Sequence, residues 1–129
     1  MSFKSLRLAG ACLTLLAILG ASFAISATAA PAKGDAAAGK AVFTTKCVAC
    51  HKADGSGGMK LMPKGNATPN WKDPKVWADP KRKDDAYFRD CITNGKVKSG
   101  MIAWGATKQL KPEQIENLIG YIHTFQPKK

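Results

Sequence analysis

Acidic residues, histidine and alternating polarity are all scarce in this chain. Nine Asp and Glu stand against 20 Lys and Arg in 129 residues, a formal charge of +11, and there are two histidines, His51 and His123. No stretch alternates apolar and polar residues at period two for long enough to make a strand, so the expected fold class is all-α. Nothing in the chain looks like acid–base machinery. Four cysteines are present, and no βαβ pattern surrounds any of them, which disfavours a thioredoxin-like dithiol. A zinc site built on the Cys47/Cys50 pair needs two more ligands at sensible spacing, and the chain offers only Cys12, Cys91 and His123.

What is present instead is Cys47-Val48-Ala49-Cys50-His51. Two thiols three residues apart, followed at once by an imidazole, form the C-x-x-C-H signature of covalent c-type haem attachment. The cysteines add across the porphyrin vinyl groups, and His51 is delivered to the iron as the proximal ligand. A sixth ligand has four candidates: Met59, Met62, Met101 and His123. Met101 is favoured, because it lies fifty residues after His51 in an aperiodic segment long enough to cross the far face of the haem. Met59 and Met62 follow His51 too closely to reach that face easily, although Met62-Pro63 keeps them in play. Trp71 and Trp77 are candidate pocket walls or plain core, and Trp104-Gly105 follows Met101.

The first 29 residues read as a secretory signal, leaving residues 30–129 as one domain. Lys4 and Arg7 precede a chargeless run from Leu8 to Ile25, and Ala27-Thr28-Ala29 supplies a small-x-small cleavage pattern. The competing reading is a retained anchor, since the run approaches the ~18 apolar residues that span a bilayer. Cys12 invites lipidation, but Ala9 stands where a lipobox wants leucine. Cleavage leaves Cys47, Cys50 and Cys91, an odd number, so Cys91 is either a buried free thiol or half of an intermolecular bridge. Cleavage also lowers the basic count from 20 to 18 against 9 acids, a formal charge of +9. Such a surface suits acidic redox proteins such as other cytochromes or oxidoreductases, with weak association to anionic membrane as a second possibility. An exported chain rarely meets nucleic acid. A scattered solvated face, with the chain a monomer, is the blander alternative.

Punctuation divides the domain into helices and loops. Asp35 caps a helix over Ala36 to Thr45 that runs into the haem motif, with Gly39 marking close approach of a second helix. Lys52 to Asn70 is broken by four glycines and two prolines into a loop. Asp73-Pro74 starts a short helix to about Ala78, and Lys81-Arg82-Lys83 reads as a solvated turn. Asp84 or Asp85 opens a helix that Gly95 ends. Lys96 to Lys108 is aperiodic, and Pro112 begins a last helix whose stripe is Ile115, Leu118, Ile119, Ile122 and Phe125. His123 falls one residue off that stripe and is expected to be exposed.

In this order the pieces resemble a small class I c-type cytochrome, with loops similar to those of monohaem periplasmic cytochromes of metal-respiring bacteria. The resemblance covers Asp35 to Phe125 and implies three to five helices wrapped around one covalent haem c, held outside the cytoplasm in the periplasm. It implies that Gly39 and Phe43 meet Leu118 and Tyr121, and that a proline carbonyl accepts the His51 Nδ1 proton. Pro69-Asn70-Trp71 matches the family's Pro-Asn-Leu locally, whereas Pro63 better matches its usual distance, so an insertion around Met59 to Asn66 is expected. Ile102 departs from the proline many relatives place after the ligand methionine. The implied site is Cys47, Cys50, His51 and Met101, with Pro69, Trp71 and Trp104 against the haem. The implied role is electron carriage rather than catalysis. The rivals are a docking subunit of a larger redox complex and an open-site haem enzyme or gas sensor, for which Arg89 is the only isolated arginine.

Overall fold

Residues 34–128 are described by the computed structural model, so the expected signal segment over residues 1–29, with Cys12, lies outside the described residues. Five α-helices follow in order: α1 Ala36–Lys46, α2 Val48–His51, α3 Pro74–Ala78, α4 Asp85–Asn94 and α5 Pro112–His123. Two short 3-10 turns, Pro80–Lys83 and Val97–Ser99, flank α4. Among the described residues there is no strand, only one isolated bridge between Lys96 and Met101.

The helix ends obey the chemistry of unpaired backbone groups. The Asp35 carboxylate accepts the amides of Ala37 and Ala38 at 2.8 and 3.3 Å, and Asp73 and Asp84 cap α3 and α4 in the same way. Each such cap is worth about 1 kcal/mol. Gly95, at φ +69°, ends α4 in a conformation that costs a side-chain-bearing residue more than glycine.

Helices α1 and α5 cross where α1 has no side chain. A Cβ on Gly39 would lie 1.9 Å from the Asn117 carbonyl oxygen, so only glycine permits this approach. The Asp35 amide donates to Asn117 Oδ1 at 2.8 Å, pinning the start of α1 to the same turn of α5. Beyond the crossing Phe43 and Leu118 are both 1% exposed, and Phe43 meets Tyr121 edge-on at 5.2 Å. The expected pairing of these two helices is therefore present. Helix α4 packs beside α5 through Phe88 and Ile92, and Arg89 clasps Glu116 with two parallel hydrogen bonds of 2.5 and 2.8 Å. Leu110, in the loop before α5, joins the core at 5% exposure without any periodicity to mark it.

Two expectations are corrected by this packing, and one left open is decided. His123 is half-buried rather than exposed: Nε2 lies 2.6 Å from Asp85 Oδ1, and the ring sits 5.5 Å from both Trp77 and Phe88. Arg82 is no solvated bystander, because its guanidinium donates to the Val76 carbonyl at 3.2 Å and borders the main cavity. Trp77 is core rather than cavity wall; its Nε1 donates to the Trp71 carbonyl at 2.6 Å.

Candidate functional site

A cavity of about 540 Å³ opens between the end of α1, the inner face of α4 and the two long loops. That volume is in the range of ligand and cofactor sites, and most of its lining is apolar. Cys47, Cys50 and His51 border it, as do Met101, Pro69, Trp71 and Trp104. Every site residue expected from the sequence thus lines one space.

The motif is presented by a single helical turn. α1 stops at Cys47, whose φ of −119° breaks the run, and α2 restarts at Val48 to carry Cys50 and His51. Lys52 then ends α2 at φ +60°, ψ 154°, a conformation that strains a side-chain-bearing residue. The following loop folds back onto the motif. The Gly57 amide donates to the His51 carbonyl at 3.1 Å, and Thr68 Oγ1 donates to the Cys50 carbonyl at 3.0 Å. Residues 59–66, the expected insertion, form an excursion closed at its base by the Gly58 to Thr68 and Thr68 to Met59 backbone bonds.

Burial decides the protonation of the motif. It pushes the Cys47 thiol up to about 12, with the neighbouring Cys50 adding to the rise. A reactive thiol needs the opposite shift, so Cys47 is not poised for thiol exchange. Burial likewise lowers His51 to about 4, leaving a neutral imidazole with a free lone pair at neutral pH. His51 Nδ1 is sealed inside the protein with no hydrogen-bond partner, which leaves Nε2 as the nitrogen available to the cavity. Pro69 borders the cavity, but its carbonyl oxygen packs over Gly57, where a Cβ would be 2.2 Å away, and does not bond Nδ1. Trp71 lies face to face with the imidazole, centroids 4.5 Å apart and planes 4° from parallel.

Met101 comes from the other loop. It is half-buried and exchanges both backbone hydrogen bonds with Lys96, at 3.1 and 3.2 Å, across the Val97–Ser99 turn. Gly100 completes that turn at φ +85°. Of the four candidate sixth ligands, Met101 alone borders the cavity; Met59 and Met62 are 39% and 45% exposed, and His123 is held by Asp85. Trp104 is half-buried near Lys46, whose Nζ stands 5.6 Å from the ring centroid.

Cys91, Phe88 and Arg82 border the cavity too, although the sequence pointed to core for the first and surface for the last. Cys91 is a buried free thiol. Its i, i+3 relation to Phe88 was the available signal, but the same spacing serves ordinary packing. Among the described residues no group of three or more His, Cys, Asp or Glu could hold a bare metal ion. An iron held here by one nitrogen and one sulfur needs a macrocycle for its remaining bonds, and the apolar cavity beside two thiols fits that group.

Comparison with known proteins agrees with this geometry. Residues 34–122 match the family described as cytochrome c oxidase, cbb3-type, subunit III. The chain is 37% identical over 110 residues to a cytochrome c6 of Rippkaea orientalis, spanning 85% of this chain and 88% of that one. It is 34% identical over 91 residues to the cbb3-type cytochrome c oxidase subunit FixP of a Bradyrhizobium species, which is 70% of this chain and 28% of that protein. No solved structure matches it significantly.

Proposed function

Because this chain belongs to the cytochrome c family, carries haem c and transfers electrons, we propose that it is a mobile periplasmic carrier whose iron is ligated by His51 and Met101. The observation that carries this reading is the convergence of Cys47, Cys50, a neutral His51 and Met101 on one apolar cavity. When bound, the haem supplies reversible one-electron chemistry between ferric and ferrous iron.

The chain's own residues do the rest. Cys47 and Cys50 form the thioether links, and the helical turn between them aims His51 at the same site. Phe43, Trp71, Phe88 and Ile92 keep water from the interior. The Lys96–Met101 bridge holds the Met101 backbone in one place, which limits rearrangement of the loop on a change of charge. A thioether also favours the ferrous state and raises the potential relative to a second imidazole.

A carrier must expose an edge to its partners. Leu61, Val97 and Ile102 are exposed beside the cavity, and Lys46, Lys96 and Lys98 border it as well. This apolar patch with basic neighbours suits an acidic redox protein, and an anionic membrane surface less well. Among the described residues no helix is long and apolar enough to cross a membrane. The match that spans 88% of cytochrome c6 supports a carrier over a fixed docking subunit, since only 28% of FixP is covered. The presence of Met101 at the edge of the same cavity as His51 supports a six-coordinate carrier over an open-site enzyme or gas sensor.

A redox-titrated absorption spectrum of the matured protein tests the reading. A low-spin haem c spectrum with a sulfur-to-iron charge-transfer band in the ferric state is expected. A high-spin spectrum, or rapid carbon monoxide binding by ferrous protein, would overturn it. Electron exchange with an acidic partner should slow as salt rises from about 0.01 to 0.15 M, where screening shortens from about 30 to 8 Å. A salt-independent rate at fixed stoichiometry would favour the docking subunit.

A further inference from the structure

Two segments at the rim of the cavity are not rooted in the core. One is the excursion over residues 59–66, and the other is the turn from Lys96 to Met101. Leu61 and Met62 on the first, and Val97 on the second, are all exposed. The base of the turn is tied to α4. A Cβ on Gly95 would lie 2.6 Å from the Met101 carbonyl oxygen, and Lys96 Nζ donates to Asp90 at 3.0 Å. Its tip has no such tie to a helix: the Ser99 and Gly100 amides donate back to Lys96 and Val97, which closes the turn on itself without fixing where it lies.

The tip rests on the excursion. A Cβ on Gly100 would stand 2.8 Å from Leu61 Cβ and 3.3 Å from Met62 Cγ. One on Gly65 would stand 2.8 Å from both the Lys98 carbonyl oxygen and Ser99 Cα. Each loop thus brings a glycine against the other, and neither leaves room for a methyl group. The Asn66 amide adds a long hydrogen bond of 3.4 Å to Ser99 Oγ. The excursion is stiffened from within, because Pro63 fixes one φ and the Gly65 amide donates to the Met62 carbonyl at 3.0 Å.

We propose that the excursion is the positioning element of the distal ligand: Leu61, with Met62, closes over Gly100, the residue before Met101, and holds the ligand loop against the cavity. The proposal rests on Met101 being that ligand. Glycine beside the ligand, at φ +85°, gives the turn freedom to swing, and the wall of Leu61 takes away the space in which to do so. An external ligand reads that freedom directly. It binds ferric iron only in the fraction of molecules whose sixth position is open, so its apparent affinity scales with that fraction.

The test is imidazole binding to the ferric holoprotein, followed by loss of the sulfur-to-iron band, in Leu61→Ala, Gly65→Ala and Asp35→Ala. Leu61→Ala opens a gap over Gly100, whereas Gly65→Ala drives a methyl into the Lys98–Ser99 backbone, so the two release the tip by opposite means. Gly65 is not among the glycines with positive φ, and its replacement acts through space alone. Each should bind imidazole about tenfold more tightly than the parent, the equivalent of about 1.4 kcal/mol of lost restraint. Asp35→Ala removes the cap at the end of α1 remote from the motif, and should lower Tm while leaving imidazole affinity at the parental value. Parental affinity in haem-loaded Leu61→Ala or Gly65→Ala overturns the proposal. So does a tightening in Asp35→Ala equal to that in Leu61→Ala, since general loosening would then explain both. Leu61 is exposed and lies outside the core cluster, so Leu61→Ala decides the matter alone where Gly65→Ala fails to mature. A parent protein without the sulfur-to-iron band would overturn the Met101 reading itself, whereas a normal band with imidazole affinity insensitive to residue 61 sinks only this inference.

Discussion

The His51 side of the cavity and the Met101 side are built by different means. On the His51 side a helical turn delivers three motif residues within five positions, and the rings of Phe43 and Trp71 pack against the imidazole with Phe125 behind them. On the Met101 side a turn is closed by two backbone hydrogen bonds, with Val97 74% and Ile102 48% exposed around it. A covalent bond holds the cofactor on the first side. On the second side, with Met101 as the proposed ligand, the loop itself would have to keep sulfur within reach of iron. Local opening is cheapest where few apolar contacts are buried, which makes the Met101 loop the weaker half.

The largest expected effect abolishes the comparison altogether. Replacing both Cys47 and Cys50 with alanine should make all haem extractable by acid solvent and leave a cavity of about 540 Å³ through the core. An empty cavity of about 540 Å³ at ~24 cal/mol per Å³ would cost on the order of 13 kcal/mol, as much as the whole stability of an ordinary domain, so a cooperative thermal transition should also vanish. Haem retained through acid solvent would contradict the attachment. Met101→His comes next and acts on the loop side only. It should lower the midpoint potential by on the order of 0.1–0.3 V, within the roughly 0.8 V that axial ligands span, and remove the sulfur-to-iron band. An unchanged spectrum would move the ligand to Met59 or Met62.

A pair of glycine substitutions separates the two sides at similar cost in stability. Gly57→Ala places a methyl 2.2 Å from the Pro69 carbonyl oxygen, and Gly95→Ala places one 2.6 Å from that of Met101; both glycines have positive φ. Each should destabilise by about 1–3 kcal/mol in a thermal or denaturant melt. Only Gly95→Ala should weaken the sulfur-to-iron band, because its neighbour is the backbone of Met101, the proposed ligand. Equal weakening by Gly57→Ala would show that the halves are not independent.

The two sides were also unequally legible in the sequence. Asp35, Asp73-Pro74, Asp84, Gly95 and Pro112 announced every helix of more than one turn, because a cap acts on amides two or three residues away. The attachment motif was legible for the same reason of locality. The contacts that finish the site join distant segments: Lys96 to Met101 across a turn, Arg82 to the Val76 carbonyl, His123 to Asp85, and Trp71 on His51. No period or spacing records these, so Arg82 and His123 read as surface and Trp77 was left between wall and core. The likeness to cytochromes of metal-respiring bacteria rested on loops, the least constrained text in the chain, and finds no support among the relatives.

Acid should loosen the Met101 side before the other. Asn94 and Lys96 hydrogen bonds hold the Asp90 carboxyl below the usual carboxylate range, and the Lys96 partner belongs to the residue bridged to Met101. Ser56, with Lys72, holds Asp54 further down still, in the loop that folds over the motif. A carboxyl depressed in the folded state contributes stability above its unfolded value, near 3.9, and that contribution is lost as pH falls through the folded value. Asp90 therefore takes up its proton first, releasing Lys96. Titrating ferric protein below pH 4 should weaken the sulfur-to-iron band while the haem absorption of the His51-ligated iron persists. In Asp90→Asn the band should start weaker and lose this acid step, since no proton remains to be taken up there. An acid step unchanged in that variant would assign the loosening to another group and remove Asp90 from the loop's support.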